Sequence, residues 1–136
     1  MKTLILYYSY SGKTKKIAAE LAIPDSADVV EIKDMKRPGV LKAYTAGCLA
    51  AMRGKVWPIQ PLDIDFSQYN RLIMLAPIWA SNPPPAFYAV LEQLPKEKAV
   101  DIKMVSASGK SNCRNRLEKA INAKGSTLES FEDIKA

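Results

Sequence analysis

A chain of 136 residues with 48% hydrophobic and 25% charged side chains has the length and composition of one globular domain, 1–136, and excludes a disordered or fibrous protein. It contains no histidine, which removes Ser-His-Asp and Cys-His catalysis, imidazole proton shuttles and most zinc sites together. Twenty Lys and Arg against 14 Asp and Glu give a net charge of +6, which favours anionic ligands without naming one.

Residues 2–8 read as a buried strand ended by Ser9-Tyr10-Ser11-Gly12, and Ile17, Ala18 and Leu21 give residues 14–22 helical spacing as far as Pro24. Residues 28–32 read as a second strand. Leu41, Tyr44, Thr45, Cys48, Leu49 and Met52 then recur at the three-and-four spacing of an amphipathic helix turned toward the core, with Gly54 as its C-terminal cap. Residues 55–70, with Pro58 and Pro61, read as an extended connection, and residues 71–76 as an internal strand. Pro83-Pro84-Pro85 introduces a helix with core face Phe87, Val90, Leu91 and Leu94, ended by Pro95. Residues 100–106 read as a fourth strand. Ser111 or Asn112 caps the next helix, whose inner face is Cys113, Leu117, Ala120 and Ile121, and residues 128–131 form a short fifth strand.

Charge is unevenly spread: residues 33–55 carry six basic and one acidic side chain, residues 110–124 five and one, and residues 125–136 are net acidic. Solvated helix faces account for this pattern, and no basic run of nucleic-acid type occurs, so no nucleic-acid partner is expected. The first strand is too short and too rich in tyrosine for a secretory segment, and no apolar run approaches the ~18 residues of a membrane span. The expectation is a cytoplasmic protein with no membrane partner.

Strands alternating with helices predict a parallel α/β sheet covered on both faces, with ligands at the carboxyl ends of the strands. Three loops lie there. The first, Ser9-Tyr10-Ser11-Gly12-Lys13-Thr14, brings hydroxyls and backbone N–H groups to a helix N-terminus, an arrangement that serves either helix capping or a phosphate. Its Gly12-Lys13-Thr14 matches the end of a Walker A loop, but Tyr7 stands where that motif needs a glycine, which argues against an ATPase. Lys13 either faces the ligand or is a solvated lysine. The second loop, Pro77-Ile78-Trp79-Ala80-Ser81-Asn82-Pro83, sets an indole at a strand end, to stack on a flat heterocycle or to pack. The third, Ser106-Ala107-Ser108-Gly109-Lys110, lets its backbone approach a planar ligand.

Together these loops resemble the flavodoxin-like family across nearly the whole chain. Ser9, Ser11, Gly12 and Thr14 match the family's S/T-x-S/T-G-x-T loop, Pro77, Ile78 and Trp79 its proline-hydrophobic-tryptophan segment, and Ser106, Ser108 and Gly109 its last flavin loop. The resemblance implies a three-layer sandwich with a five-stranded parallel sheet in the order 2-1-3-4-5. It also implies FMN as cofactor, held by residues 9–14, 77–81 and 106–109, including Tyr10, Lys13, Ala80, Ser81 and Ala107. The redox chemistry then belongs to the flavin. Electrons pass to a redox partner protein or to a small acceptor such as a quinone. The alternative is a non-redox signalling or structural module on the same scaffold with a degenerate flavin site.

The chain departs from the family in three ways. It is basic where electron-carrier flavodoxins are usually acidic, no glycine follows Trp79 at once, and the family's C-terminal helix is missing after the fifth strand. The last departure leaves part of one sheet face bare and predicts a homodimer or a covering partner. With Lys110 and Lys13 beside the site, a flavin potential less negative than that of an acidic flavodoxin is expected. Cys48 and Cys113 fall on apolar helix faces and read as core; Cys113, near Lys110 and Arg114, has a second reading as a redox thiol of lowered pKa. A phospho-receiver lacks its acidic strand ends here, and a phosphatase of this fold lacks its loop cysteine.

Overall fold

A computed structural model describes residues 2–24 and 26–136. Five strands, β1 (Lys2–Tyr7), β2 (Asp28–Glu31), β3 (Tyr69–Pro77), β4 (Ala99–Ser106) and β5 (Thr127–Lys135), form one parallel sheet in the order β2-β1-β3-β4-β5. The helical elements are α1 (Lys13–Ala22), α2 (Val40–Lys42), a π-helical turn (Ala43–Gly47) running on into α3 (Cys48–Arg53), a 3-10 turn (Phe66–Gln68) inside the connection expected to be extended, α4 (Pro85–Glu92) and α5 (Arg114–Ala123). The strand order is the one expected, and among the described residues no helix follows β5.

β1 is apolar without interruption because both of its faces are covered. Leu4 and Leu6 face the main core with Leu72, Met74, Ile102, Phe87, Leu117 and Ile121, while Ile5 and Tyr7 lie with Leu75 under Ala18 of α1. β4 instead alternates. Val100, Ile102 and Met104 enter the core, whereas Asp101 and Lys103 alternate to the opposite face, where α1 packs chiefly on β1, β2 and β3. There Asp101 pairs with Arg71 and accepts from the Ser130 hydroxyl at 2.6 Å, and Lys103 pairs with Glu132 at 2.8 Å. The part of the sheet face from which a homodimer or covering partner is expected carries these paired charges on β4.

Several expectations need correction. The fifth strand spans nine residues rather than four, because Glu129, Glu132, Asp133 and Lys135 break the apolar run while an edge strand tolerates them. α4 starts at Pro85 as expected but ends at Glu92, before Pro95. Neither Ser111 nor Asn112 caps α5: Cys113 holds the N-cap position without a side-chain cap bond, and the Asn112 N–H donates instead to the Ser81 carbonyl at 3.0 Å.

The largest correction concerns the segment from α2 to α3. Its small residues Ala43, Gly47, Ala50 and Ala51 are buried, while Leu41, Tyr44, Leu49 and Met52 are exposed. The apolar spacing read in the sequence is present, but that face turns outward. Close approach is the reason. A Cβ at Gly47 would sit 2.7 Å from a ring carbon of Trp79, so only a small-residue stripe lets the segment lie against this indole. Gly54 does cap α3, in the left-handed region at φ 65°.

The Tyr8 hydroxyl donates to Asp34 at 2.6 Å, pinning the segment after β2 to the end of β1. Burial raises the pKa of both groups; at Asp34 the Tyr8 hydrogen bond and Arg37 oppose the rise.

Two predictions follow from this packing. Alanine at Gly47 gains about 1 kcal/mol of helix propensity, but an overpacked site costs about 1–3 kcal/mol, so Gly47→Ala is expected to lower stability in denaturant titration and to shift the tryptophan emission. Tyr8→Phe removes the donor to Asp34 and is expected to cost about 1–2 kcal/mol at neutral pH. A raised carboxyl pKa means that ionisation of Asp34 works against the fold, so this deficit shrinks as the pH falls through the Asp34 titration. A raised phenol pKa means that the stability tied to Tyr8 is intact below about pH 10 and is lost above it. The wild type, and less so the variant, is therefore expected to lose melting temperature in alkali.

Candidate functional site

The chain leaves β1 outward to β2 and returns to β3 on the other side of β1, which makes the β1/β3 boundary the point where the strand order reverses. The parallel register carries Tyr7, Pro77 and Ser106 to the same end of the sheet, so the loops after β1, β3 and β4 converge. Between them lies a groove of about 210 Å³ lined by Ser11, Lys13, Thr14, Pro77, Ile78, Val105, Ser106, Ala107 and Ala136. Seven of these were singled out from the sequence; Val105 and Ala136 were not. Ala136 arrives because β5 runs on to Lys135 and the Ala136 N–H donates to the Ser106 carbonyl at 2.8 Å.

In the first loop Gly12 has φ 104°, a conformation that side chains other than glycine rarely adopt, and its N–H donates to the Ser9 hydroxyl at 3.0 Å. Gly12 is also the N-cap of α1, and no side chain caps the helix there. The first turn holds no acidic residue, Lys13 lines the groove, and Thr14, 2% exposed, lies against it. The N–H groups and positive end of a ten-residue helix are joined here by two hydroxyls and one ammonium, a donor set able to receive an anion.

In the second loop, backbone bonds in both directions between Trp79 and Asn82 (2.7 and 3.1 Å) close a tight turn with Ala80 at φ 52° and Ser81 at φ 66°. This is the mirror-image turn that usually takes glycine or asparagine, so each of these residues costs about 1–2 kcal/mol. The turn is held from several sides. The Asn82 side-chain amide donates to the Ala80 carbonyl at 2.9 Å, and Arg116 of α5 donates to the Asn82 side-chain oxygen at 3.2 Å. The same Arg116 nitrogen contacts the Ala51 carbonyl and the Tyr88 hydroxyl. The sequence placed Arg116 on a solvated basic face, and nothing in its spacing marked this reach.

Trp79 does not line the groove. Its indole rests against Gly47 and meets Tyr8 and Tyr10 edge-on at 6.0 and 5.7 Å. With Tyr10, Val40, Tyr44, Cys48, Ile78 and Ala80 it lines a neighbouring apolar pocket of about 360 Å³, and Ile78 lines both cavities. Arg37 stacks over the Tyr10 ring at 4.3 Å and donates to the Tyr10 carbonyl, fixing this corner of the first loop.

In the third loop the Ser106 hydroxyl accepts from the Gly109 N–H at 3.0 Å, and Ser108 turns inward on Lys110. Gly109, at φ 68°, passes so close to Lys135 that a Cβ would lie 3.0 Å from its side chain. Cys113 is 1% exposed, and burial, with Asp133 adding to it, pushes its thiol pKa up against the opposing charge of Arg116. The reading of Cys113 as a redox thiol is therefore withdrawn: Lys110 and Arg114 do not activate it. Among the described residues no group of three acidic, cysteine or histidine side chains is placed to hold a metal ion, and no helix is long and apolar enough to cross a membrane.

No family model and no curated protein matches the sequence. Solved structures do. A flavoprotein from Lactobacillus acidophilus, crystallised in complex with FMN, is 26% identical over 96% of this chain and 91% of its own, with a TM-score of 0.76. A protein from Bacteroides eggerthii superposes with a TM-score of 0.81 at 18% identity, over 96% of this chain and 86% of its own. A Streptococcus pneumoniae flavodoxin matches over 100% of this chain and 87% of its own, at 14% identity and a TM-score of 0.53. Agreement over nearly the whole of each chain gives this chain a flavodoxin-like fold.

Proposed function

We propose that the chain is a flavin redox protein that binds FMN with its phosphate at the start of α1. The observation that carries this reading is the uncapped α1 N-terminus, whose free N–H groups, Ser11 and Thr14 hydroxyls and Lys13 face a groove shared with the second and third loops. The likeness to a flavoprotein that holds FMN supports it.

The donor set suits a phosphate monoester. Helix N–H groups, hydroxyls and one ammonium all donate, and among the residues lining the groove no acidic side chain opposes a dianion. Ile78, shared by the groove and the apolar pocket, offers a path along which a flat ring system leaves the phosphate end toward Tyr10 and Trp79. FMN, when bound, supplies the electron storage that the side chains lack. The chain binds and orients it: Gly12 opens the anion site, Pro77 and Ile78 form one wall, and Ser106 and Ala107 the other. The electron acceptor is a redox partner protein or a small molecule such as a quinone.

Purified protein offered FMN is expected to turn yellow, to keep the colour through dialysis and to rise in melting temperature. A folded protein that stays colourless overturns the reading and leaves the non-redox scaffold. Thr14→Ala and Ser11→Ala are each expected to weaken FMN about tenfold or more in titration, since a hydrogen bond to a charged group is worth about 1.5–3 kcal/mol. Unchanged affinity in both removes the hydroxyls from the phosphate site. Potentiometry is expected to give a couple less negative than that of an acidic flavodoxin, and Lys13→Glu to make it more negative.

A further inference from the structure

The segment from α2 to α3 spends its small side chains on the core and its large apolar ones on solvent, an inversion of the usual surface helix. Val40, Leu41 and Tyr44 are 76–79% exposed, and Leu49 and Met52 are about half exposed. Packing against the rest of the chain explains none of these five. The same stretch of chain carries the exposed cations Lys36, Arg37, Lys42, Arg53 and Lys55. The one acid of this stretch, Asp34, is engaged by the Tyr8 hydroxyl. An apolar centre with a charged rim of one sign is the anatomy of a protein-docking surface.

Its position gives it a purpose. Val40, Tyr44 and Cys48 form one wall of the apolar pocket that also holds Tyr10 and Trp79, and this pocket adjoins the groove through Ile78. Whatever docks on the segment comes to rest beside the proposed flavin.

We infer that this face receives an acidic redox protein, one whose docking surface has an apolar centre ringed by carboxylates. The inference rests on the flavin reading above and names the chemistry of its partner. Charge decides against a second copy of the chain, because a two-fold contact on this face would set five cations against five like them. Residues 33–55 carry six basic side chains against one acidic, so the α2–α3 face draws an acidic partner on approach. A small patch suits the transient encounters of electron transfer.

The test uses two fluorescently labelled protein probes of opposite charge, an acidic plant-type ferredoxin and basic cytochrome c, titrated with the protein at low and moderate salt. The ferredoxin is expected to bind, with affinity falling at least tenfold as salt rises, and cytochrome c not to bind. Leu41→Glu and Lys42→Glu are each expected to weaken ferredoxin binding at least fivefold, while Lys119→Glu, on the exposed side of α5, changes it less than twofold. Equal weakening by Lys119→Glu means unspecific attraction to a cation and overturns the inference. So does failure to bind the ferredoxin at low salt. Leu41-dependent binding to phosphatidylglycerol vesicles in place of ferredoxin overturns it in favour of a lipid surface, and a Leu41-dependent dimer in sedimentation overturns it in favour of a second copy. Anisotropy reads docking with or without FMN, so loss of docking and failure to take up the nucleotide are seen separately.

Discussion

The site depends on the parallel register of β1, β3 and β4. Leu6 opposite Met74, and Met74 opposite Ile102, hold three strands in a register that brings their carboxyl ends to one side of the sheet, and three loops distant in sequence become the walls of one groove. A one-residue slip of β3 would turn Leu72 and Met74 out of the main core and would carry Pro77 and Ile78 to the other side of the sheet. The apolar side chains that fix this register thus also fix the site, although none of those named lines the groove. α1 adds the electrostatic part, because the same β1 that sets the register delivers a helix N-terminus without a cap.

Much of this was legible in the sequence. Residues 2–8 could be read because a strand covered on both faces is apolar throughout, and Pro85 because a proline in the first turn gives up no hydrogen bond. Gly12 and Gly109, at φ 104° and 68°, confirm loops that were read from their small and hydroxyl side chains. What escaped was direction. Periodicity says that Leu41, Tyr44, Leu49 and Met52 share a face, but not which way it points, and the complementary stripe of Ala43, Gly47, Ala50 and Ala51 carried that information unread. A strand-end position likewise does not say what an indole rests on; Trp79 lies against Gly47 and lines the neighbouring apolar pocket.

The uncovered face of the sheet was also written in the chain. In β4 the alternation Val100-Asp101-Ile102-Lys103-Met104 is that of a strand with one wet side, unlike the solid run of β1. Arg71, Ser130 and Glu132 answer those two polar side chains from the flanking strands. Cross-strand pairing of this kind contributes tenths of a kcal/mol per contact, but it keeps an edge from presenting an adhesive surface.

Arg116 ties together parts of the molecule that are otherwise separate: a carbonyl of α3, a phenol of α4 and the amide that braces the Ala80–Ser81 turn all meet one guanidinium nitrogen. Groups that share a donor do not vary independently. Substitutions at Asn82, Tyr88 and Arg116 will therefore fail to add, and a change on the back of α5, well away from the groove, will be felt as a loosened loop at its mouth.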